Sequence, residues 1–238
     1  MFYAAIHSAG GDAPPNCRWV RQIATPLQWI RAFLDRNIGD LHRDFSLDAH
    51  LRKGKRIKIT TDACPHGLGG VLEVENRIVS YFSSPLSTVD RQVLALPSEP
   101  SSRDQQAAEA LAMLVALRLW AGWWRNQRVR LAVRTDNVAT LSMVCRMQPH
   151  SEQLGVIARE IALDVAESSY APDEAVHIPG VANKAADFLS RLCIPDAGTP
   201  QPPTYPSYLP LHLATPCIPR ERNWWRTLVP SNKDKRSI

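Results

Sequence analysis

The chain has 238 residues, 45% of them hydrophobic, and 28 Lys+Arg against 23 Asp+Glu, a formal charge of +5. That is enough apolar material for one core of ordinary size, and a modest basic excess that suits an anionic partner. No apolar run is long enough to span a bilayer, the opening MFYAAIHSAGGDAPP is not built like a signal peptide, and five scattered cysteines without CxxC spacing argue against a zinc site or a disulfide framework. A protein with reduced thiols, inside the cell, cytoplasmic or nuclear, and with no membrane partner is expected.

Residues 1–56 are uneven. GGDAPP is a breaker cluster, PLQWIRAFLDR reads as a short amphipathic helix with Leu27, Ile30 and Leu34 on one face, and HLRKGKRIK is basic. Nothing here makes a domain, so 1–56 reads as a lead-in. A regular pattern begins at residue 57. RIKITTDA is a strand in which Ile57, Ile59 and Thr61 alternate with Lys58, Thr60 and Asp62. GGVLEVE and RIVSYFS follow, joined by a turn at Glu75 and Asn76, so the three runs form an antiparallel meander. A loop rich in Ser and Pro spans Ser83 to Ser102. Ser101 and Asp104 then resemble a capping box, opening a helix to about Trp120 with a core stripe of Ala108, Leu111, Val115 and Leu119.

RVRLAVRTD is the fourth strand. Helices follow over Asn137–Met147 and Glu152–Ser168. EAVHIP is a fifth strand cut short by Pro179 and Gly180, and Asn183–Leu192 is a closing helix. The order predicts an α/β domain over about 57–192: a five-stranded mixed sheet flanked by helices. From 193 to 238 the chain is Pro-rich and basic, with no periodicity, and reads as a disordered or extended tail without a core of its own. Trp224 and Trp225 within it have no single reading, and RNWWRT is compatible with a partner-docking motif. Trp123 and Trp124 favour packing over stacking on bases.

Four acids stand out. Asp62 ends the first strand, in front of the glycine-rich CPHGLGG. Asp136 ends the fourth strand, out of phase with Val129, Leu131 and Val133 just as Asp62 is out of phase with Ile57 and Ile59. If those strands are neighbours, the two carboxylates meet on one face and repel unless a cation joins them. Glu109 lies in the Ala-rich run QQAAEALAMLVAL, and its neighbours three and four residues away (Gln105, Gln106, Ala112, Met113) include no base. It needs a partner from elsewhere, and a metal is one. Asp187 is more ambiguous, because Lys184 and Arg191 at helical spacing offer a surface ion pair. Cys64 and His66, close to Asp62, lack further soft ligands for a metal of that class. The basic residues Arg52, Lys53, Lys55, Arg56 and Lys58 fit either backbone phosphates or plain solvent.

ITTDACPHGLGGVL, QQAAEALAMLVAL, VRTDNVATL and HIPGVANKAADFLSRL resemble the successive motifs of the ribonuclease H domain of retroelement reverse transcriptases, nearest to gypsy-like and DIRS-like elements. The ending IPG-x-x-N-x-x-AD-x-LSR is the most specific piece. The resemblance covers about 57–192 and implies a ribonuclease H-like fold, with Asp62, Glu109, Asp136 and Asp187 as catalytic residues that bind two Mg²⁺, Mn²⁺ being the alternative ion. It implies cleavage of the RNA strand of RNA–DNA hybrids, with other retroelement proteins as further partners. Two departures accompany it. Cys64 stands where Ser is commoner, and the loop Gly180–Ala186 lacks the histidine of cellular ribonucleases H; His177, earlier in the strand, reads as structural. No YxDD-type polymerase motif occurs, so the chain reads as a part detached from the polymerase, with 1–56 a remnant of that region. The rival readings are a catalytically silent relic serving as a nucleic-acid-binding or interaction module, and another nuclease or integrase of the same fold, which the order of the acids disfavours.

Overall fold

The computed structural model describes residues 27, 30–31, 34–35, 54–97, 102–124, 129–167, 174–194 and 209–228. The meander opens the fold. β1 (Lys55–Ala63), β2 (Gly67–Val74) and β3 (Arg77–Pro85) run antiparallel to their neighbours, with Ile57 opposite Val74 and Val71 opposite Tyr81. Glu75 and Asn76 both take positive φ, the geometry that lets a two-residue hairpin follow the strand twist. β4 (Val129–Thr135) lies parallel to β1, and β5 (Glu174–His177) parallel to β4. The sheet order is β3-β2-β1-β4-β5. This is the five-stranded mixed sheet flanked by helices that the sequence predicts.

The helices are α1 (Thr88–Val93), α2 (Ser102–Leu119), α3 (Val138–Arg146), α4 (Glu152–Glu167) and α5 (Lys184–Arg191). α1 lies inside the stretch that reads as a loop. Its cause is local: Ser87 accepts from the Asp90 N–H and Asp90 accepts from the Ser87 N–H, a closed capping box. Ser101, proposed as the start of α2, lies outside the described residues, as does most of 1–56; of PLQWIRAFLDR, Leu27, Ile30, Arg31 and Leu34 are helical, with Leu27 and Leu34 exposed.

α2 packs on the face of Ile57, Ile59, Leu72, Leu131 and Val133 and is covered in turn by α4. It is buried on nearly all sides over 107–117, more than a single stripe would need. α5 packs on the other face of the sheet, against Val71 and Tyr81, through Leu189. Gly69 makes this approach possible, since a Cβ there would overlap the Ala186 carbonyl and the Ser190 N.

The tail differs from its prediction. Residues 209–228 are part of the packed structure, as three 3-10 turns and extended links. Thr215 N–H donates to the Tyr81 carbonyl at 2.7 Å, so the segment meets the edge strand β3 at an isolated parallel bridge and satisfies one of its carbonyls. Trp225 is 0% exposed and belongs to the main core, and Arg220, 4% exposed, is ion-paired with Asp90 at 2.9 Å. Trp224 is not a free docking residue either: the Arg118 guanidinium lies 4.4 Å from its ring centre. Low periodicity concealed this because a strap held by a few widely spaced buried residues, Leu209, Arg220 and Trp225, has no helical or strand period. Residues 195–208 and 229–238 lie outside the described residues.

Candidate metal centre

The β1–β4 register sets the site. Ile57 is beside Leu131 and Thr60 beside Arg134, so two residues further along Asp62 comes level with Asp136. Side-chain alternation turns both away from the α2 face. α2 brings Glu109 to the same strand ends. One carboxylate oxygen from each of Asp62, Glu109 and Asp136 lies within 4.8 Å of the others. It is the single such group of three among the described residues, and it leaves Cys64 and His66 outside.

Neutral donors hold the two buried acids. Asp62 accepts from Asn183 Nδ2 at 3.2 Å on one oxygen and from Ser190 Oγ at 2.9 Å on the other. Glu109 accepts from Gln105 Nε2 at 3.2 Å, and Thr135 Oγ1 lies 3.5 Å from its other oxygen. The sequence reading of Glu109 as lacking any local partner is therefore incomplete: Gln105, one turn earlier, is a polar neighbour, though it brings no charge. Burial raises the Glu109 carboxyl from an ordinary 4.5 to about 9, and the charges of Asp62 and Asp136 add to the rise. Burial likewise raises Asp62 from 3.8 to about 6; Asp136 and Asp187 push the same way, while the Ser190 hydrogen bond and Arg191 oppose it. None of the three carboxylates forms an ion pair among the described residues, and a divalent cation supplies a positive charge with the oxygen ligands that hard cations prefer.

Asp187 is not in the group of three. It lies in the first turn of α5, and its carboxylate accepts from Arg191 Nε at 2.6 Å, the helical ion pair that the spacing offers. Its charge is still felt at Asp62. His177 Nε2 lies 3.0 Å from the Asp136 carbonyl oxygen and so steadies the backbone of that acid without entering the group. A Cβ on Gly180 would stand 3.2 Å from the Asp136 carboxylate, a tight approach that this side chain would have to yield to.

Asn183 and Ser190 are the residues that the residue-level reading did not single out, although both stand in the most specific motif. Their signal was positional: a polar side chain at each end of α5, at i and i+7, on the face that also carries Asp187. The basic residues of β1 are largely committed. Arg56 pairs with Glu75 at 3.3 Å, Lys58 with Glu73 at 3.7 Å, and Arg134 of β4 reaches the same Glu73 at 3.8 Å. Arg52 and Lys53 lie outside the described residues. Trp124 is buried and Trp123 packs against the core, as the packing reading has it. No helix among the described residues is long and apolar enough to cross a membrane.

No protein-family model matches the chain, and no curated protein is similar enough to count as a relative. Solved structures similar to part of it include ribonuclease H1 from the halophilic archaeon Halobacterium salinarum, at 15% identity and a TM-score of 0.42 over 56% of this chain and 93% of that one. LC11 ribonuclease H1 in complex with an RNA/DNA hybrid is similar at 22% identity and a TM-score of 0.46, over 58% of this chain and 96% of that one. The N-terminal ribonuclease H domain of a Mycobacterium tuberculosis protein is similar at 12% identity and a TM-score of 0.42, over 59% and 99%.

Proposed function

We propose that this protein is a divalent-metal-dependent ribonuclease that cuts the RNA strand of an RNA–DNA hybrid, in the setting of a retroelement reverse transcriptase. The observation that carries this reading is the convergence of the Asp62, Glu109 and Asp136 carboxylates, delivered by two strand ends and a buried helix. The motif resemblance supplies the chemistry. An all-oxygen, anionic donor set fits Mg²⁺ or Mn²⁺ and not a soft metal. Asp62 and Asp136 would anchor a pair of ions, Glu109 would hold one of them, and Asp187 would help hold the other by exchanging its Arg191 contact. When bound, such a pair activates a water for attack on the phosphorus and stabilises the leaving 3′ oxygen.

The chain's own residues contribute placement and charge. Asn183, Ser190 and Gln105 orient two carboxylates without neutralising them, so their full charge faces the ions. The substrate would be recognised by the shape, sugars and phosphates of the hybrid and not by base sequence. Incubation with an end-labelled RNA–DNA hybrid tests the proposal: Mg²⁺ should give cleavage of the RNA strand alone, EDTA should stop it, and duplex DNA should remain intact. Tight hybrid binding without cleavage in Mg²⁺ or Mn²⁺ would favour the silent binding module.

A further inference from the structure

Asn183 is an unusual helix cap. It occupies the position before α5 where an Asn ordinarily accepts from the first-turn N–H groups, yet its side chain makes no capping bond. Its amide nitrogen instead donates to the Thr61 carbonyl at 3.1 Å and to Asp62 at 3.2 Å, and its Oδ1 is buried without a partner. The side chain is 2% exposed. Forgoing a cap and burying an unpaired oxygen both cost stability, so the arrangement needs a compensating role.

Ser190 shows the same pattern at the other end of the helix. It is fully buried, and its single hydroxyl proton has two acceptors at 2.9 Å, Asp62 Oδ2 and the Asp187 carbonyl. An ionised carboxylate is the stronger acceptor, so the proton turns to Asp62 when that acid is charged. The back-bond to the carbonyl three residues earlier is the alternative when it is not. Asp62 therefore has both oxygens fixed from α5, by donors that carry no charge. A lysine or arginine in either place would orient the carboxylate equally well but compete with a cation for it.

We propose that Asn183 and Ser190 are positioning residues that hold the Asp62 carboxylate in its ion-binding orientation, so that α5 sets the geometry of a ligand carried by β1. This rests on the reading of Asp62 as a metal ligand, and the test separates the two. Mn²⁺ is titrated into the full chain and free ion is followed by its paramagnetic resonance signal, alongside hybrid cleavage as a function of Mg²⁺. Ser190→Ala and Asn183→Ala should each weaken Mn²⁺ binding and raise the half-saturating Mg²⁺ about tenfold. KM for hybrid at saturating Mg²⁺ should move less than about twofold, since a positioning role acts on the ion and not on substrate binding. Ser190→Thr, which keeps the hydroxyl, should restore the wild-type ion requirement. Ser190→Cys, close in size and a weak donor, replaces the Ala variant if that one does not fold. Unchanged Mn²⁺ affinity in folded Ala or Cys variants would overturn the proposal even with cleavage intact. Mn²⁺ binding that weakens in the variants while wild type fails to cleave would uphold the positioning role and remove the nuclease.

Discussion

Two sets of acids in this molecule, one under the C-terminal strap and one at the strand ends, are treated in opposite ways. Under the C-terminal strap, Glu160 is fully buried and accepts from Arg118 at 2.6 Å and from the Arg226 and Thr227 N–H groups at 3.0 and 2.8 Å. Asp164 pairs with Arg118 and Arg226, and Asp90 with Arg220. Each of these acids has an arginine from within the chain. At the strand ends, Asp62 and Glu109 are buried with neutral donors only and are pushed up to about 6 and 9. Acids supplied with cations tie elements together. Acids left to repel one another cost stability, and the structure keeps that cost where an outside cation can relieve it.

The strap region should give the largest effect on stability. Removing residues 209–238 takes away Trp225, whose truncation in a core is worth about 3–5 kcal/mol, and strips the partner from buried Asp90, which is worth a further ~3–5 kcal/mol. Domains of this kind have about 5–15 kcal/mol in total, so the truncated chain should lose its cooperative thermal transition. Arg220→Ala alone should lower stability by about 3–5 kcal/mol in urea denaturation. Truncation without a change in melting would show that the strap merely rests on the surface and would restore the boundary near residue 192.

The strand-end acids should make stability fall as pH rises. A carboxyl raised in the folded state keeps a proton that the unfolded chain releases. Its stabilising contribution is complete below the unfolded value and is lost as pH rises through the folded one. In EDTA, stability should therefore fall between about pH 4 and 6 through Asp62, and on to about pH 9 through Glu109. Glu109→Gln should flatten the upper part of that fall and raise the melting temperature of the metal-free protein at pH 8, while Mg²⁺ should stabilise wild type more than the variant. Melts at pH 5, 7 and 9 with and without Mg²⁺ would check this; a flat EDTA profile would mean that Glu109 is not held as described.

How far the sequence reached follows from the physics of each element. Period-two alternation placed Asp62 and Asp136 in matching phase, and the parallel β1–β4 register then made them neighbours. Glu109 was visible as an acid among alanines, because the missing local base is itself a sequence fact. The ion pair of Asp187 with Arg191 was offered by spacing alone, so it could not be weighed against a metal until the pair was seen. Asn183 and Ser190 were not singled out because an Asn before a helix and a Ser within it have ordinary local explanations, and the bonds that matter span 121 and 128 residues. The strap failed for the same reason. Arg220 and Asp90 are 130 residues apart, and proline-rich composition describes the local chain, not what it packs on. α1 could have been found, since Ser87 and Asp90 stand at capping-box spacing.

Exposed pairs give the smallest effect and a control for the comparison. Arg56 and Glu75 are both well exposed, and Arg56→Ala should leave the urea midpoint almost unchanged. A loss as large as that of Arg220→Ala would mean that burial is not what separates the two regions.

Whether the strand-end acids form a cation site that does chemistry is measured most directly by the single-turnover rate of hybrid cleavage in Mg²⁺ by wild type and by Asp62→Asn, with the fold of both verified by melting. Asn keeps the shape of Asp62 and removes its charge. Several kcal/mol of lost transition-state stabilisation correspond to a rate lower by roughly a thousandfold or more, and the metal-free variant should melt at or above wild type because one repelling charge is gone. Equal cleavage by the two proteins would contradict the account and place the nuclease elsewhere.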